Sequence, residues 1–119
     1  MKLTDYAWEI YDIAKANDMD VGVGRDMFLA NLENAGQEGL PHYEGAEDVD
    51  YIALGQEWGA MSAEEQRNQK AMYNQVTRAH YADLTQCRRS GDREGFDAIL
   101  AGAVEEYEAE HNPTEQAGE

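Results

Sequence analysis

The sequence predicts an all-α protein: one helical domain of about five helices over residues 1–111, followed by a short disordered tail, 112–119. Three observations carry this. Apolar residues recur three and four apart along most of the chain, the spacing of a single helix face. No stretch competes with the alternation that marks a half-buried strand. Turn-forming residues cluster between the periodic segments, while Pro occurs only twice. At 119 residues the chain has room for one hydrophobic core, not two.

The first helix is expected from about Asp5 to Ala16, with Thr4 as N-cap and Leu3 stapled onto Trp8 across it. Tyr6, Ile10 and Ile13 form its apolar stripe, with Ala7, Tyr11 and Ala14 beside it. The run Asn17 to Gly24 is rich in turn formers, so a second helix starts near Arg25 and ends by Ala35-Gly36, burying Phe28, Leu32 and Ala35. Gly36 to Gly45 reads as a loop, because the proline of Leu40-Pro41 lacks a donor and disfavours helix in the residue before it. A third helix, from about Ala46 to Gly59, has Tyr51, Leu54 and Trp58 as its stripe and Ile52 alongside. Ser62-Ala63-Glu64-Glu65 has the capping-box form and opens a long fourth helix, along which Met72, Tyr73, Val76, His80, Leu84 and Cys87 keep near-heptad spacing. Arg88-Arg89-Ser90-Gly91-Asp92 ends it, with cations suited to a helix C-terminus and Ser90 placed to cap the next helix. Phe96, Ile99, Leu100, Ala103 and Tyr107 mark a last helix, about 91–111.

Charge is the strongest pointer to function. The net charge is −16, and it is unevenly spread: residues 26–66 hold ten acids and no Lys or Arg, 67–93 hold six bases and two acids, and 94–119 hold eight acids and no base. Such a field repels phosphate backbones and anionic membranes and favours a basic protein as partner, with solubility as the competing purpose. Glu44, Glu47, Asp48, Asp50 and Glu57 are the candidate partner-binding acidic face. Arg67, Lys70, Arg78, Arg88 and Arg89, with Arg93, are the alternative nucleic-acid-binding set, aided by Tyr73 and Tyr81; pairing with the acidic flanks is their competing fate. Glu105, Glu106, Glu108 and Glu110 lie where the helix dipole disfavours acids, so that end is expected to fray or to meet the basic segment of this or another chain.

Other chemistry finds little footing. Cys87, the single cysteine, excludes an internal disulfide and a multi-Cys metal site; it reads as a structural thiol, against the alternative that Arg88 and Arg89 lower its pKa. His42, His80 and His111 are isolated, and Asp18-x-Asp20-x-Gly22 opens like a calcium loop but has Leu29 at the twelfth position. Gly22-x-Gly24 lacks the preceding strand of a phosphate-binding fingerprint. No metal, no cofactor and no enzymatic activity are therefore expected. Asp5, Glu9 and Asp12 interrupt the N-terminus as no signal peptide would allow, and no apolar window could span a bilayer, so a cytoplasmic setting without membrane contact is expected.

Residues 54–65, Leu54-Gly55-Gln56-Glu57-Trp58-Gly59-Ala60-Met61-Ser62-Ala63-Glu64-Glu65, resemble the segment joining the second and third helices of the HMG box. Met27 to Asn34 looks like that family's first helix, and Ala63 to Tyr81 is placed like its long third, so the likeness covers roughly 24–84. The resemblance implies an HMG-box-like three-helix centre. DNA-binding members bend the minor groove with a basic strand, basic helices and an apolar wedge. Here the strand position is Asp20 to Arg25, with one base, and the second helix opens with Glu44, Glu47, Asp48 and Asp50, so the resemblance implies a scaffold more than a DNA binder. The expected function is an acidic protein-binding module, in its sharpest form a nucleic-acid-mimicking inhibitor of a basic nucleic-acid-handling protein, of the anti-restriction or anti-CRISPR kind used by phages and mobile elements. An HMG-box-like DNA binder using 67–93 and a structural or assembly subunit are the alternatives.

Overall fold

The computed structural model describes residues 1–111, and over these every regular element is a helix. A 3₁₀ turn, Leu3–Tyr6, leads into α1 (Ala7–Ala16), α2 (Val21–Asn34), α3 (Tyr51–Ala60), α4 (Ala63–Ala79), α5 (Tyr81–Ser90) and α6 (Arg93–His111). The tail expected to be disordered, 112–119, lies outside the described residues. None of these helices is long and apolar enough to cross a membrane.

α1 packs on α2 and α2 on α3, while α4 and α5 pack on α6 and the 3₁₀ turn on α4. One buried cluster runs through all of them: Leu3, Ile10 and Ile13, then Phe28 and Leu32, Leu54 and Trp58, Met72, Tyr73 and Val76, Leu84, Phe96 and Leu100. Aromatic rings tie α2 to the 3₁₀ turn and α3, and α6 to α1. Phe28 meets Tyr6 at 5.7 Å and Tyr51 at 5.9 Å, and Phe96 takes Trp8 and Tyr11 edge-on at 5.2 and 5.3 Å. The slab measures 49 × 36 × 19 Å, so its thinnest dimension holds about two helix layers of roughly 10–12 Å each. The helices are thereby left with one face on the core and one in solvent.

The expected stripes are found, with one exception: Ile52, placed beside Tyr51, is 57% exposed. The boundaries need more correction. Thr4 is no N-cap. Leu3 and Thr4 are drawn into the core, where Gln69 Oε1 accepts from the Leu3 N–H at 3.0 Å, and α1 begins only at Ala7, behind Tyr6, with no side-chain cap to set a staple. α2 begins at Val21, four residues early, because Asp20 Oδ1 accepts from the Val23 N–H at 2.9 Å. α3 begins five residues late, at Tyr51, because Ala46 has a φ of 52°, incompatible with a right-handed helix, and the cap is Asp50, accepting from Ala53 N–H at 3.1 Å.

The capping box is present as expected: Ser62 and Glu65 satisfy each other's backbone N–H groups at 3.1 and 3.0 Å. The long fourth helix is instead two, broken at His80. Thr77 Oγ1 donates to the Tyr73 carbonyl at 2.6 Å, a back-bond that bends helices, and the chain beyond His80 turns to pack against α6. Ser90 does not cap α6 but donates back to the Gln86 carbonyl; Asp92 accepts from Gly95 N–H at 2.9 Å in its place, after the left-handed Gly91 closes α5.

Two glycines, Gly24 from the run read as turn formers and Gly55 from within α3, are close-packing contacts. A Cβ at Gly24 would sit 2.7 Å from Ala14 Cβ, and one at Gly55 would overlap the Leu32 carbonyl oxygen, so bare backbone sets the α1–α2 and α2–α3 distances. Gly55→Ala is therefore expected to destabilise by about 1–3 kcal/mol, read by chemical denaturation, where helix propensity alone would make it stabilising.

Candidate acidic interface

The acidic residues 44–50 sit on a loop whose backbone is tied down from Pro41 to Gly45. Asn31, fully buried on α2, donates through Nδ2 to the Tyr43 carbonyl at 2.9 Å and accepts at Oδ1 from the Tyr43 N–H at 2.7 Å. Asn34 donates to the Pro41 carbonyl at 3.1 Å, Asn17 to the Glu44 carbonyl at 3.0 Å, and Tyr51 Oη to the Gly45 carbonyl at 3.2 Å. Three amides and a phenol thus hold a segment that has no helix of its own, and Glu44, Glu47, Asp48 and Asp50 project from it exposed.

Between α1, this loop and α3 lies a groove of about 300 Å³ lined by Tyr6, Glu9, Asp48, Val49, Asp50, Ala53, Leu54 and Glu57. Of the five acidic candidates, Asp48, Asp50 and Glu57 are brought together there, while Glu44 and Glu47 lie outside its lining; Glu47 Oε1 accepts from Gly45 N–H at 3.0 Å. Glu9 and Tyr6 are contributors that sequence spacing did not reveal, because α1 is about forty residues away in the chain. The field is felt locally. Burial pushes the Tyr6 phenol up, and the carboxylates of Glu57, Asp5 and Glu9 push it further. Burial likewise raises Tyr51, opposed by the nearby Asn31 amide and reinforced by Glu47 and Glu9. Among the described residues no three His, Cys, Asp or Glu side chains are grouped to hold a metal ion. The groove presents spaced carboxylates over the apolar Val49, Ala53 and Leu54, a lining that suits a cation on an apolar stem.

The basic candidates are not gathered in one place. Arg88 pairs with Asp12 and lies 4.1 Å over the Trp8 ring, and Arg93 pairs with Glu9 at 2.8 Å and with Asp97 at 3.6 Å. Apart from Asp97, these partners belong to α1, not to the acidic flanks expected to neutralise them. Arg67, Lys70, Arg78 and Arg89 make no ion pair among the described residues. The glutamates of α6 stay helical, since the helix runs through them to His111; Glu108 pairs with Lys2 at 3.1 Å, and among the described residues none of them pairs with a base of 67–93, although Glu106 and Glu110 face Gln75, Ala79 and His80 across a shallow pocket. Cys87 is half-buried, and its thiol is pushed up by desolvation and by Asp92 and Asp83, against any activation by Arg88. Asp20, the calcium-loop candidate, is engaged as a helix cap.

Comparison with protein-family models, with curated proteins and with solved structures finds no match to this chain.

Proposed function

We propose that the chain is an acidic protein-binding module whose groove between α1, the tied loop and α3 receives arginine or lysine side chains of a basic, nucleic-acid-handling partner, occupying the surface on which that partner takes phosphates. The observation that carries this reading is the convergence of Asp48 and Asp50 from the loop with Glu57 of α3 and Glu9 of α1 around one groove, next to the loop stretch Pro41 to Gly45 that Asn31, Asn34, Asn17 and Tyr51 hold. Held carboxylates lose little conformational entropy on binding, and guanidinium groups match them in forked, charge-assisted pairs. Val49, Ala53 and Leu54 give the aliphatic stem of such a side chain an apolar bed. On this reading the HMG-box-like segment 24–84 is a scaffold, and the chain works inside the cell by binding rather than by catalysis.

The test is a combined Asp48→Asn, Asp50→Asn, Glu57→Gln variant. Asn at 50 keeps the α3 cap, so helix content is expected to stay unchanged. Affinity for an arginine-rich peptide, and recovery of a basic protein from lysate, are expected to fall about tenfold or more in the variant and with added salt in the native chain. Unchanged affinity in the variant, or recovery of DNA that nuclease removes, would reject the proposal, the second outcome in favour of DNA binding by the basic segment.

A further inference from the structure

A second groove, of about 410 Å³, lies between the start of α2 and the junction of α4 with α5, and it shares no lining residue with the acidic one. Val21 and Gly22 form one wall; Tyr73, Asn74, Thr77, Arg78 and Tyr81 form the other. Its size is that of a small-molecule site, and its walls are mainly apolar with a few polar groups.

Those polar groups are donors. Arg78, like Arg67, Lys70 and Arg89, has no carboxylate partner among the described residues, so its guanidinium is open to an anion from solution. Asn74 Oδ1 already accepts from Arg25, so its amide N–H groups are what it has left to offer. Tyr73 is 2% exposed, and its hydroxyl, like that of Tyr11 nearby, is buried without a hydrogen-bond partner. Such a hydroxyl is destabilising unless something bonds to it, and native folds rarely leave one so. A trapped water would answer for the phenols; what the groove adds is the Arg78 guanidinium and the Asn74 amide beside a Tyr81 ring left 51% exposed. Asp20 caps α2 and lies next to Gly22, which keeps an anion away from that end of the groove and directs it toward Arg78.

We infer that this groove binds a small planar aromatic anion, with its ring against Tyr81 and Val21 and its carboxylate or phosphate on Arg78 and the Asn74 amide. Ring stacking supplies affinity, and the guanidinium selects the charge. The site stands apart from the proposed acidic interface, and its loss would leave that reading untouched.

Calorimetric titration of the full chain with adenosine monophosphate, benzoate and inorganic phosphate tests it. Saturable binding of either aromatic probe is expected, with inorganic phosphate about tenfold weaker or worse; whether adenosine monophosphate or benzoate is preferred tells phosphate from carboxylate. Arg78→Met and Tyr81→Ala, both at exposed positions, are each expected to weaken the preferred probe about tenfold with unchanged circular dichroism. Chemical-shift mapping on the native chain should centre on Asn74, Arg78 and Tyr81. The inference is overturned if neither aromatic probe saturates, if inorganic phosphate binds as well as they do, if folded variants keep native affinity, or if the shifts centre elsewhere.

Discussion

Asn31→Asp is expected to destabilise the fold by about 2–5 kcal/mol although it changes side-chain volume hardly at all. Asn31 is fully buried and pairs with both backbone groups of Tyr43, donating at 2.9 Å and accepting at 2.7 Å. Aspartate keeps the acceptor but loses the donor, and either sets a carboxylate against the Tyr43 carbonyl or takes up a proton to avoid doing so. Asn31→Leu fills similar space and leaves both Tyr43 groups unpaired, so a comparable loss is expected; a site governed by packing would tolerate it. The melting temperature should fall by about 10 °C or more in either variant. Loss of these bonds also frees the loop that carries Glu44, Glu47 and Asp48, so amide exchange at residues 41–50 is expected to rise more than exchange in α4 and α6. Binding to the arginine-rich peptide should weaken with it, without removal of a single surface charge. Native-like exchange in that loop in a folded Asn31 variant would show that the amide does not anchor it.

What the sequence could show of this arrangement follows from how local each feature is. The capping box of Ser62 and Glu65 is legible because both of its bonds lie within four residues. The stripes of α1, α2 and α6 are legible because burial follows helical period. Helix starts were misplaced where an aspartate caps, at Asp20, Asp50 and Asp92, since an acid among many acids carries no mark of its role. Gly22 and Gly24 compounded the error at α2: they read as turn formers, but Gly24 is where α1 passes closest. The break at His80 was hidden because the apolar stripe continues in phase through Val76 and Leu84, while the Thr77 back-bond that bends the helix before it leaves no mark on that stripe. In the acidic groove, Asp48, Asp50 and Glu57 lie close in sequence and could be grouped by eye. Glu9 and Tyr6 join them only through the fold, as Asp12 joins Arg88.

Stability is expected to collapse between pH 10 and 12, ahead of what exposed tyrosines would produce. A tyrosine in the unfolded chain ionises near pH 10. In the fold the Tyr11 phenol is pushed up to about 12, chiefly by burial and further by the neighbouring Tyr81. Below pH 10 both states keep the proton and the native advantage is intact. Between the two values the unfolded chain binds fewer protons than the native one, so unfolding becomes more favourable as pH rises. For Tyr11 alone the gap is worth about 2–3 kcal/mol. Tyr73 acts in the same direction: burial pushes its phenol up, Tyr11 adds to this, and Arg25 opposes it in part. Chemical denaturation at intervals from pH 8 to pH 12 measures the loss, and phenolate absorbance tells the cause. If burial holds these protons, absorbance from Tyr11 and Tyr73 rises together with loss of helix, not before it. Tyr11→Phe and Tyr73→Phe supply the control, since each removes a hydroxyl that lacks a partner. At neutral pH such a variant is expected to be as stable as the native chain or more so, and its alkaline transition to move upward. Phenolate forming in an intact fold near pH 10, or Phe variants that unfold at the native pH, would mean that these phenols are reached by water and that their burial does not govern the transition.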